Sequence, residues 1–205
     1  DQSVAFGVVN TASPDYSYNG NHYFAARTVA MGRYDTAAGT DATAIGQGNT
    51  AGKGYARAGS VYFTNNDSAV GFFNTATGND SSAFGDRNNA TGSRSSAFGY
   101  QNVASGNAGS AFGYNNTAAA LSSSAFGFRN AAGAVYHYNG TDYSTRGAMA
   151  IGNGNHASGM YASAVGQNNF AGHYYVRGGK AYFSTDDSAM GYANVAIGGG
   201  SSAFG

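Results

Sequence analysis

The sequence contains no cysteine, no tryptophan and no glutamate, and only one proline among its 205 residues. Without cysteine, neither a disulfide framework nor a thiolate metal site is available. Charged residues make up only 10% of the chain, and its ten basic and ten acidic side chains form no run of either sign. The basic patch expected of a protein that binds nucleic acid or an anionic membrane is therefore missing.

Long hydrophobic runs are also missing from the sequence. No apolar stretch approaches the roughly 20 residues that cross a bilayer, so direct membrane insertion of this fragment is not expected. Glycine is abundant, with 33 residues, but it lacks the triplet period of collagen. The 16 tyrosines and 13 phenylalanines are too many for a disordered low-complexity chain, so we expect the chain to fold.

A short motif of alanine, an apolar residue and glycine recurs along the whole sequence. Successive glycines of the motif lie either 14 or 25 residues apart. The third residue after each glycine is asparagine in every unit except one, where it is Asp35, and the fifth residue is always alanine. The motif glycines are Gly7, Gly32, Gly46, Gly71, Gly85, Gly99, Gly113, Gly127, Gly152, Gly166, Gly191 and Gly205. Such phased repetition is typical of solenoid proteins.

The apolar residues of the repeat lie two apart, which predicts β-strands. Fourteen residues accommodate two strands of about five residues and two tight turns, so each unit predicts one coil of a narrow two-sheet roll. The recurring asparagines are expected to form a ladder of side-chain amides. The phenylalanines of the motif, such as Phe84, are expected inside, and the alanines before them, such as Ala83, on the outer face. Because a narrow roll buries little surface, we expect oligomerisation through that small outer face.

The four longer units carry inserts at about residues 14–25, 53–64, 134–145 and 173–184. Asn-Gly, Ala-Gly or Gly-Gly lies at the centre of each insert, and Asn-Gly and Gly-Gly in particular favour the two-residue type I′ turn of a β-hairpin. This register pairs two supporting tyrosines across each hairpin: Tyr16 with Tyr23, Tyr55 with Tyr62, Tyr136 with Tyr143, and Tyr175 with Tyr182.

The residues at the hairpin tips are the candidate ligand-binding residues. They are the next pairs outward on the same face: Tyr18 with Asn21, Arg57 with Ser60, Tyr138 with Thr141, and Arg177 with Lys180. Tyrosine and arginine at exposed sites have the chemistry of binding anchors. The block from Gly7 to Gly71, which holds two inserts, recurs 120 residues later from Gly127 to Gly191.

Three other functions of a β-solenoid are disfavoured. A solenoid enzyme needs acid and base residues gathered in a groove, but glutamate is absent and no histidine has a carboxylate at a recurring coil position. A calcium-binding solenoid would show Gly-Gly-x-Gly-x-Asp runs, and an ice-binding one would show flat ranks of threonine. No catalytic residue, cofactor or metal is therefore predicted.

The repeat Ser-x-Ala-apolar-Gly-x-x-Asn-x-Ala-x-Gly resembles that of YadA-like heads, the head domains of trimeric autotransporter adhesins. The resemblance covers the whole chain and implies that residues 1–205 form a single head domain, an all-β, left-handed parallel β-roll assembled as a homotrimer. This chain most often has Ser-Ala-Phe-Gly where the family usually has Ser-Val-Ala-Ile-Gly.

The resemblance also implies a function and a location. It implies a non-enzymatic adhesin head on the surface of a Gram-negative bacterium, held at the outer membrane by a stalk and anchor expected outside this fragment. The expected partners are a host cell-surface or extracellular-matrix protein or glycan, or other adhesin heads in self-association and biofilm formation. A phage or fibre spike module is the alternative outside the adhesins.

Overall fold

The structure is a computed structural model that describes residues 2–205, and it consists of two compact units that divide after Gln101. Both units are all-β, and no residue within 2–205 is helical. In each unit the chain winds through successive coils, and each coil adds one strand to a sheet of longer strands and one to a sheet of two-residue strands. The predicted solenoid of parallel strands is thus confirmed.

The first unit contains 15 of the strands, which fall into three groups. The longer parallel strands are β1 (Val4–Val8), β5 (Val29–Arg33), β7 (Thr43–Gln47), β11 (Ser68–Phe72), β13 (Ser82–Asp86) and β15 (Ser96–Tyr100). The two-residue strands are β2 (Thr11–Ala12), β6 (Thr36–Ala37), β8 (Thr50–Ala51), β12 (Thr75–Ala76) and β14 (Asn89–Ala90). The antiparallel hairpins are β3 (Tyr16–Tyr18) with β4 (Asn21–Tyr23), and β9 (Gly54–Arg57) with β10 (Ser60–Phe63).

The second unit, Asn102–Gly205, repeats this organisation. Its longer strands are β17 (Ser110–Tyr114), β19 (Ser124–Phe128), β23 (Met149–Asn153), β25 (Ser163–Gln167), β29 (Ser188–Tyr192) and β31 (Ser202–Phe204). Its two-residue strands are β16 (Val103–Ala104), β18 (Thr117–Ala118), β20 (Ala131–Ala132), β24 (His156–Ala157), β26 (Phe170–Ala171) and β30 (Val195–Ala196). Its hairpins are β21 (Val135–Tyr138) with β22 (Thr141–Ser144), and β27 (Tyr174–Arg177) with β28 (Lys180–Phe183).

Neighbouring longer strands pair in parallel, and each residue lies beside its equivalent in the next repeat. Ala83 of β13, for example, pairs with Ala69 on one side and with Ala97 on the other. This register holds across the longer units, since β7 pairs with β11 even though a hairpin intervenes in the sequence. The prediction of two strands of about five residues is wrong for the second strand, which is two residues long.

The core of each unit is built from alanine rather than phenylalanine. Ala83 and Ala97 of the longer strands and Ala90 of a two-residue strand are fully buried. Phe84 and Phe98, the residues that follow those two strand alanines, are only partly buried, and their rings stack with centroids 4.9 Å apart on the outer face. The predicted placement of these two rows is therefore wrong, and so is the idea that a small alanine face is open for oligomerisation.

The narrow interior explains why alanine lies inside. The motif glycine Gly85 has a φ of 117°, and a Cβ there would overlap the carbonyl oxygen of Gly99 in the next coil. The glycine row therefore lets successive coils stack in close contact. Between the two sheets the fully buried strand side chains are alanines, so the interior is filled by methyl groups and has no place for phenyl rings. Alternation along a strand identifies two faces but does not say which one is internal when both rows are apolar.

The predicted asparagine ladder is confirmed. The Nδ2 atom of Asn74 lies 3.0 Å from Oδ1 of Asn49 in the preceding coil, 2.9 Å from the Val70 carbonyl oxygen and 2.7 Å from the Gly85 carbonyl oxygen. The ladder asparagines that are almost fully buried are Asn49, Asn74, Asn88, Asn102, Asn116, Asn130, Asn155 and Asn169. Because buried polar groups are costly without partners, the ladder fixes the spacing of the coils as well as their hydrogen bonding.

Asp35 replaces asparagine in the ladder of the first unit. Its Oδ1 accepts hydrogen bonds from the backbone N–H of Asn49 at 2.8 Å and from Nδ2 of Asn49 at 2.9 Å. Its Oδ2 is buried and has no hydrogen-bond partner within residues 2–205. This oxygen lies where the other rungs have an amide donor, so the rung is incomplete.

Candidate functional site

The four inserts form β-hairpins with the predicted turns. Both central residues of every turn have positive φ, for example 51° at Asn19 and 77° at Gly20, and even the Ala58-Gly59 turn adopts this conformation, with φ of 49° and 81°. The supporting tyrosines pair across the strands as predicted in all four hairpins. The rings of Tyr55 and Tyr62 stack with centroids 5.7 Å apart.

The candidate tip residues also occupy the predicted positions. In each of the four pairs the two residues lie directly opposite each other and flank the two-residue turn. Six of these residues are exposed, whereas Tyr18 and Tyr138 are partly buried. Their binding role stays a prediction.

Hydrogen bonds close the hairpins at their base. In the last hairpin, the backbone N–H of Ser184 donates to the carbonyl oxygen of His173 at 2.8 Å, and the N–H of His173 donates to Oγ of Ser184 at 2.8 Å. The same two hydrogen bonds close β9–β10, between Lys53 and Thr64, and β21–β22, between Ala134 and Thr145. The chain therefore leaves and re-enters the coil at adjacent points, so the stack continues undisturbed.

The hairpin β27–β28 has an inner face and an outer face. Ala181 and Phe183 alternate with the outer residues and are only 5% and 7% exposed. Tyr175 and Tyr182 point the other way, are 45% and 43% exposed, and stack with ring centroids 5.6 Å apart. On the inner face only the β28 residues are covered, because Val176 and Tyr174 opposite them are 44% and 49% exposed. The outer face is exposed on both strands and is therefore the more accessible to a ligand.

A surface cleft lies on this outer face. It has a volume of about 500 Å³ and is lined by Tyr175, Arg177, Gly178, Lys180 and Tyr182. A similar cleft of about 280 Å³ lies on the β9–β10 hairpin of the first unit. It is lined by Tyr55, Arg57, Ala58 and Tyr62, the residues equivalent to those of the second unit after the shift of 120.

In the first hairpin of each unit, a histidine side chain contacts an aspartate side chain. In β3–β4, Nδ1 of His22 lies 2.6 Å from Oδ2 of Asp15. In β21–β22, Nδ1 of His137 lies 2.6 Å from Oδ1 of Asp142, which is directly across the hairpin. These two hairpins therefore offer tyrosine and amide or hydroxyl groups at their tips, but no free cation.

An aromatic crevice between the two hairpins of the second unit was not predicted from the sequence. It has a volume of about 290 Å³, and its lining includes Tyr136, His156, Phe170, His173 and Tyr174. The rings of Tyr136 and Tyr174 stack with centroids 3.9 Å apart, and burial lowers the pKa of His156. Comparison of the two duplicated blocks could have revealed the crevice, because four of its residues differ from their equivalents in the first block. His156, Phe170, His173 and Tyr174 replace Thr36, Thr50, Lys53 and Gly54.

The comparison with known families supports the resemblance inferred from the repeat. The family described as YadA head domain repeat (2 copies) matches residues 65–88, 90–116, 104–130 and 146–169. The chain contains a YadA-like head domain. Among curated proteins, none matches this chain. The family indicates an adhesin-type function at a bacterial surface.

The hairpins of this YadA-like head lie outside the matched segments. The third hairpin, β21–β22, falls between the matched segments that end at residue 130 and begin at residue 146, and the other three also lie beyond any match. The matched segments thus consist of coils, and none of the four hairpins is part of a match.

Two further structural observations concern metal ions and membrane spans. Within residues 2–205, no group of three or more histidine, cysteine, aspartate or glutamate side chains could hold a metal ion. In the same part of the chain, none of the secondary structure is a helix with the length and hydropathy needed to span a membrane.

Proposed function

We propose that this YadA-like head is a non-enzymatic adhesin module that attaches a bacterium to host cells or extracellular matrix through the outer faces and tips of its hairpins. The carrying observation is that no hairpin lies in a segment matched by the family repeat, and that the second hairpin of each unit exposes a stacked tyrosine pair beside one or two cations. Tyrosine and arginine give more contact energy per ordered side chain than the serine and asparagine of the plain coils.

The proposal includes assembly as a homotrimer of left-handed β-rolls. The apolar residues of the longer strands support it, because they form an exposed row on the outer face of each unit. Met31 and Ile45 of the first unit are 39% and 36% exposed, and Phe126 and Met190 of the second unit are 36% and 48% exposed. A row of this kind needs cover from another subunit, and a trimer multiplies the four hairpins of each chain into many weak contacts that act together.

The test removes the hairpins and keeps the coils. Deleting residues 14–24, 53–63, 134–144 and 173–183 restores the 14-residue spacing in every long unit. We expect this variant to keep its thermal stability and oligomeric state and to lose adhesion when coated beads meet host cells, matrix proteins or beads that carry the same head. Replacing Tyr18, Arg57, Tyr138 and Arg177 by alanine is expected to cause a partial loss.

The control removes exposed aromatic residues away from the hairpins. Tyr161→Ala together with Tyr192→Ala takes away two exposed tyrosines of the coils and should leave adhesion unchanged. Adhesion of the hairpin-free roll at the level of the parent would show that the coil surface binds, and the assignment of the hairpins would then be wrong.

A further inference from the structure

The outer face of the β27–β28 hairpin carries two cations directly opposite each other. Arg177 pairs with Lys180 across the turn, and both are exposed. Like charges in this position destabilise an antiparallel pair. No ion pair formed within residues 2–205 includes either residue. The stability of the hairpin therefore does not explain why the two cations face each other, whereas binding of an anionic ligand between them would.

The same face offers aromatic surface beside the cations. Tyr175 and Tyr182 are two positions further from the turn than Arg177 and Lys180, so all four side chains project from one side of the hairpin. They line the cleft of about 500 Å³ together with Gly178. This volume lies within the roughly 300 to 1,000 Å³ of small-molecule sites. The cleft is thus a compact site with both positive charge and stacking surface.

We propose that this cleft binds an anionic saccharide, a sugar ring that carries a carboxylate or a sulfate. The inference rests on the proposed function, in which the hairpins are the binding surface. The guanidinium of Arg177 matches the geometry of a carboxylate or sulfate, and Lys180 adds a second point charge. The tyrosine rings pack against the apolar C–H face of a sugar, and their hydroxyl groups form hydrogen bonds with its hydroxyls.

The size and charge of the site favour a saccharide over other anions. The cleft holds one or two sugar rings, whereas an acidic peptide in extended conformation would need a longer groove. Nucleic acid requires a wider basic surface, and the chain as a whole has a formal net charge of zero.

The first unit carries a weaker version of the same site. Tyr55, Arg57 and Tyr62 recur in the same positions, but Ser60 stands where the second unit has Lys180. The cleft there is smaller, at about 280 Å³. The β9–β10 hairpin is therefore expected to bind the same saccharide with lower affinity, and Lys180→Ser should convert the stronger site into a copy of the weaker one.

The experiment measures binding of defined oligosaccharides to the purified full chain by calorimetry. A heparin tetrasaccharide supplies sulfate and carboxylate, and an unsulfated heparosan tetrasaccharide supplies carboxylate alone. We expect binding of at least the sulfated probe, and a loss of affinity of tenfold or more in the variant Arg177→Gln with Lys180→Gln. Tyr175→Ala should also weaken binding of the same probe, because the sugar ring loses its stacking surface.

The control variant removes the same charge elsewhere. Arg94→Gln with Arg129→Gln takes two exposed cations from the coils, outside every hairpin, and should change the affinity less than twofold. Circular dichroism checks that both double variants are folded, which we expect because none of the four side chains is part of the core. Comparison of the unsulfated probe with the sulfated one shows which anionic group the cleft recognises.

Three outcomes would overturn the inference: no binding of either tetrasaccharide, equal binding by the Arg177/Lys180 variant and the parent, or equal binding of a polyglutamate peptide. Adhesion of coated beads to cells stripped of anionic glycans separates the two proposals. Undiminished adhesion to such cells would contradict the saccharide and leave the adhesin function intact. Absence of adhesion to any cell or matrix, with tetrasaccharide binding retained, would contradict only the adhesin function.

Discussion

At the scale of single residues, the incomplete rung at Asp35 leads to a prediction about stability. Asp35→Asn supplies an amide donor in place of the unpartnered Oδ2. An asparagine there could donate to carbonyl oxygens as Asn74 does. We expect the free energy of unfolding to rise by about 1 to 2 kcal/mol, which is the scale of satisfying one buried polar group. Chemical denaturation of the parent and the variant measures the difference.

The reverse substitution is the control for that prediction. Asn88→Asp removes the amide that donates to Asn74, Phe84 and Gly99, so it should lower the free energy of unfolding. A lower stability of Asp35→Asn would mean that the carboxylate has a role which the hydrogen bonds of the ladder do not reveal.

His156 makes stability depend on pH. His156 keeps an exposed edge, but the aromatic crevice desolvates its ring and lowers its pKa in the folded state. The unfolded state therefore takes up a proton at a higher pH than the folded state does. The contribution of neutral His156 to the free energy of unfolding is fully present above pH 6.5, which is about the pKa of histidine in an unfolded chain. It is lost as the pH falls from there through the pKa of the folded state. The thermal midpoint should therefore drop between pH 7.5 and pH 5.5.

The first block supplies the matched variant for this test. Thr36 is the equivalent of His156, so His156→Thr is a substitution that the same fold already contains. We expect it to reduce the fall in the thermal midpoint over that pH range. An equal fall in the parent and in His156→Thr would assign the pH dependence to other groups.

The repeat itself could be predicted from the sequence down to its asparagines, but the orientation of the strands could not. The period fixes which residues lie above one another, and it correctly placed Asn74 above Asn49. It does not fix which side of a strand is internal, because Ala83 and Phe84 are both apolar. The narrow space between the two sheets decides the orientation, because it is filled by the fully buried alanines of both kinds of strand.

At the scale of elements, a contact between the two hairpins of the first unit leads to a prediction about the mobility of β3–β4. In the first unit, Tyr16 packs edge-on against Phe63 with ring centroids 6.3 Å apart. A Cβ at Gly54 would lie 2.7 Å from Cδ2 of Tyr16. Gly54→Ala should therefore displace the tyrosine and loosen β3–β4, at a cost of about 1 kcal/mol from the lost aromatic contact.

Hydrogen exchange of the β3–β4 amides measures that loosening directly. We expect faster exchange in Gly54→Ala than in the parent, with unchanged exchange in the longer strands of the same unit. Ala56→Ser is a suitable control, since it also adds one heavy atom to β9 but at an exposed position. Equal exchange of the β3–β4 amides in Gly54→Ala and the parent would show that the hairpin does not depend on the Tyr16 contact.

The hairpins were the most predictable elements, and the crevice between two of them was the least. Asn19-Gly20 and Asn139-Gly140 determine the turn by their backbone preferences, and a two-residue turn then fixes the pairing of every residue along the hairpin. The contact of Tyr136 with Tyr174 depends instead on how two hairpins lean toward each other. That arrangement is set by packing between elements far apart in the sequence, which no local pattern encodes.

At the scale of the whole molecule, the outward phenylalanines lead to a prediction about assembly. Light scattering of the full chain should show a trimer. Phe112→Ser with Phe126→Ser places polar groups in the exposed row of the second unit, so we expect dissociation of the trimer. The coils should remain folded by circular dichroism, because the rings lie outside the alanine core. A monomeric parent protein would contradict the trimer, and unfolding of the variant would contradict the outer placement of the rings.

The closed base of the β9–β10, β21–β22 and β27–β28 hairpins also determines how the protein responds to proteolysis. The peptide bonds after Arg57, Arg177 and Lys180 lie at or beside exposed turns, where trypsin-like proteases cut most readily. A cut there separates the two strands of a hairpin, but the coils on either side remain joined by the ladder and by the bonds at the base, such as that between Ser184 and His173. Limited digestion with trypsin should thus nick these hairpins while the coils stay assembled, and the nicked chain should separate into fragments only after denaturation.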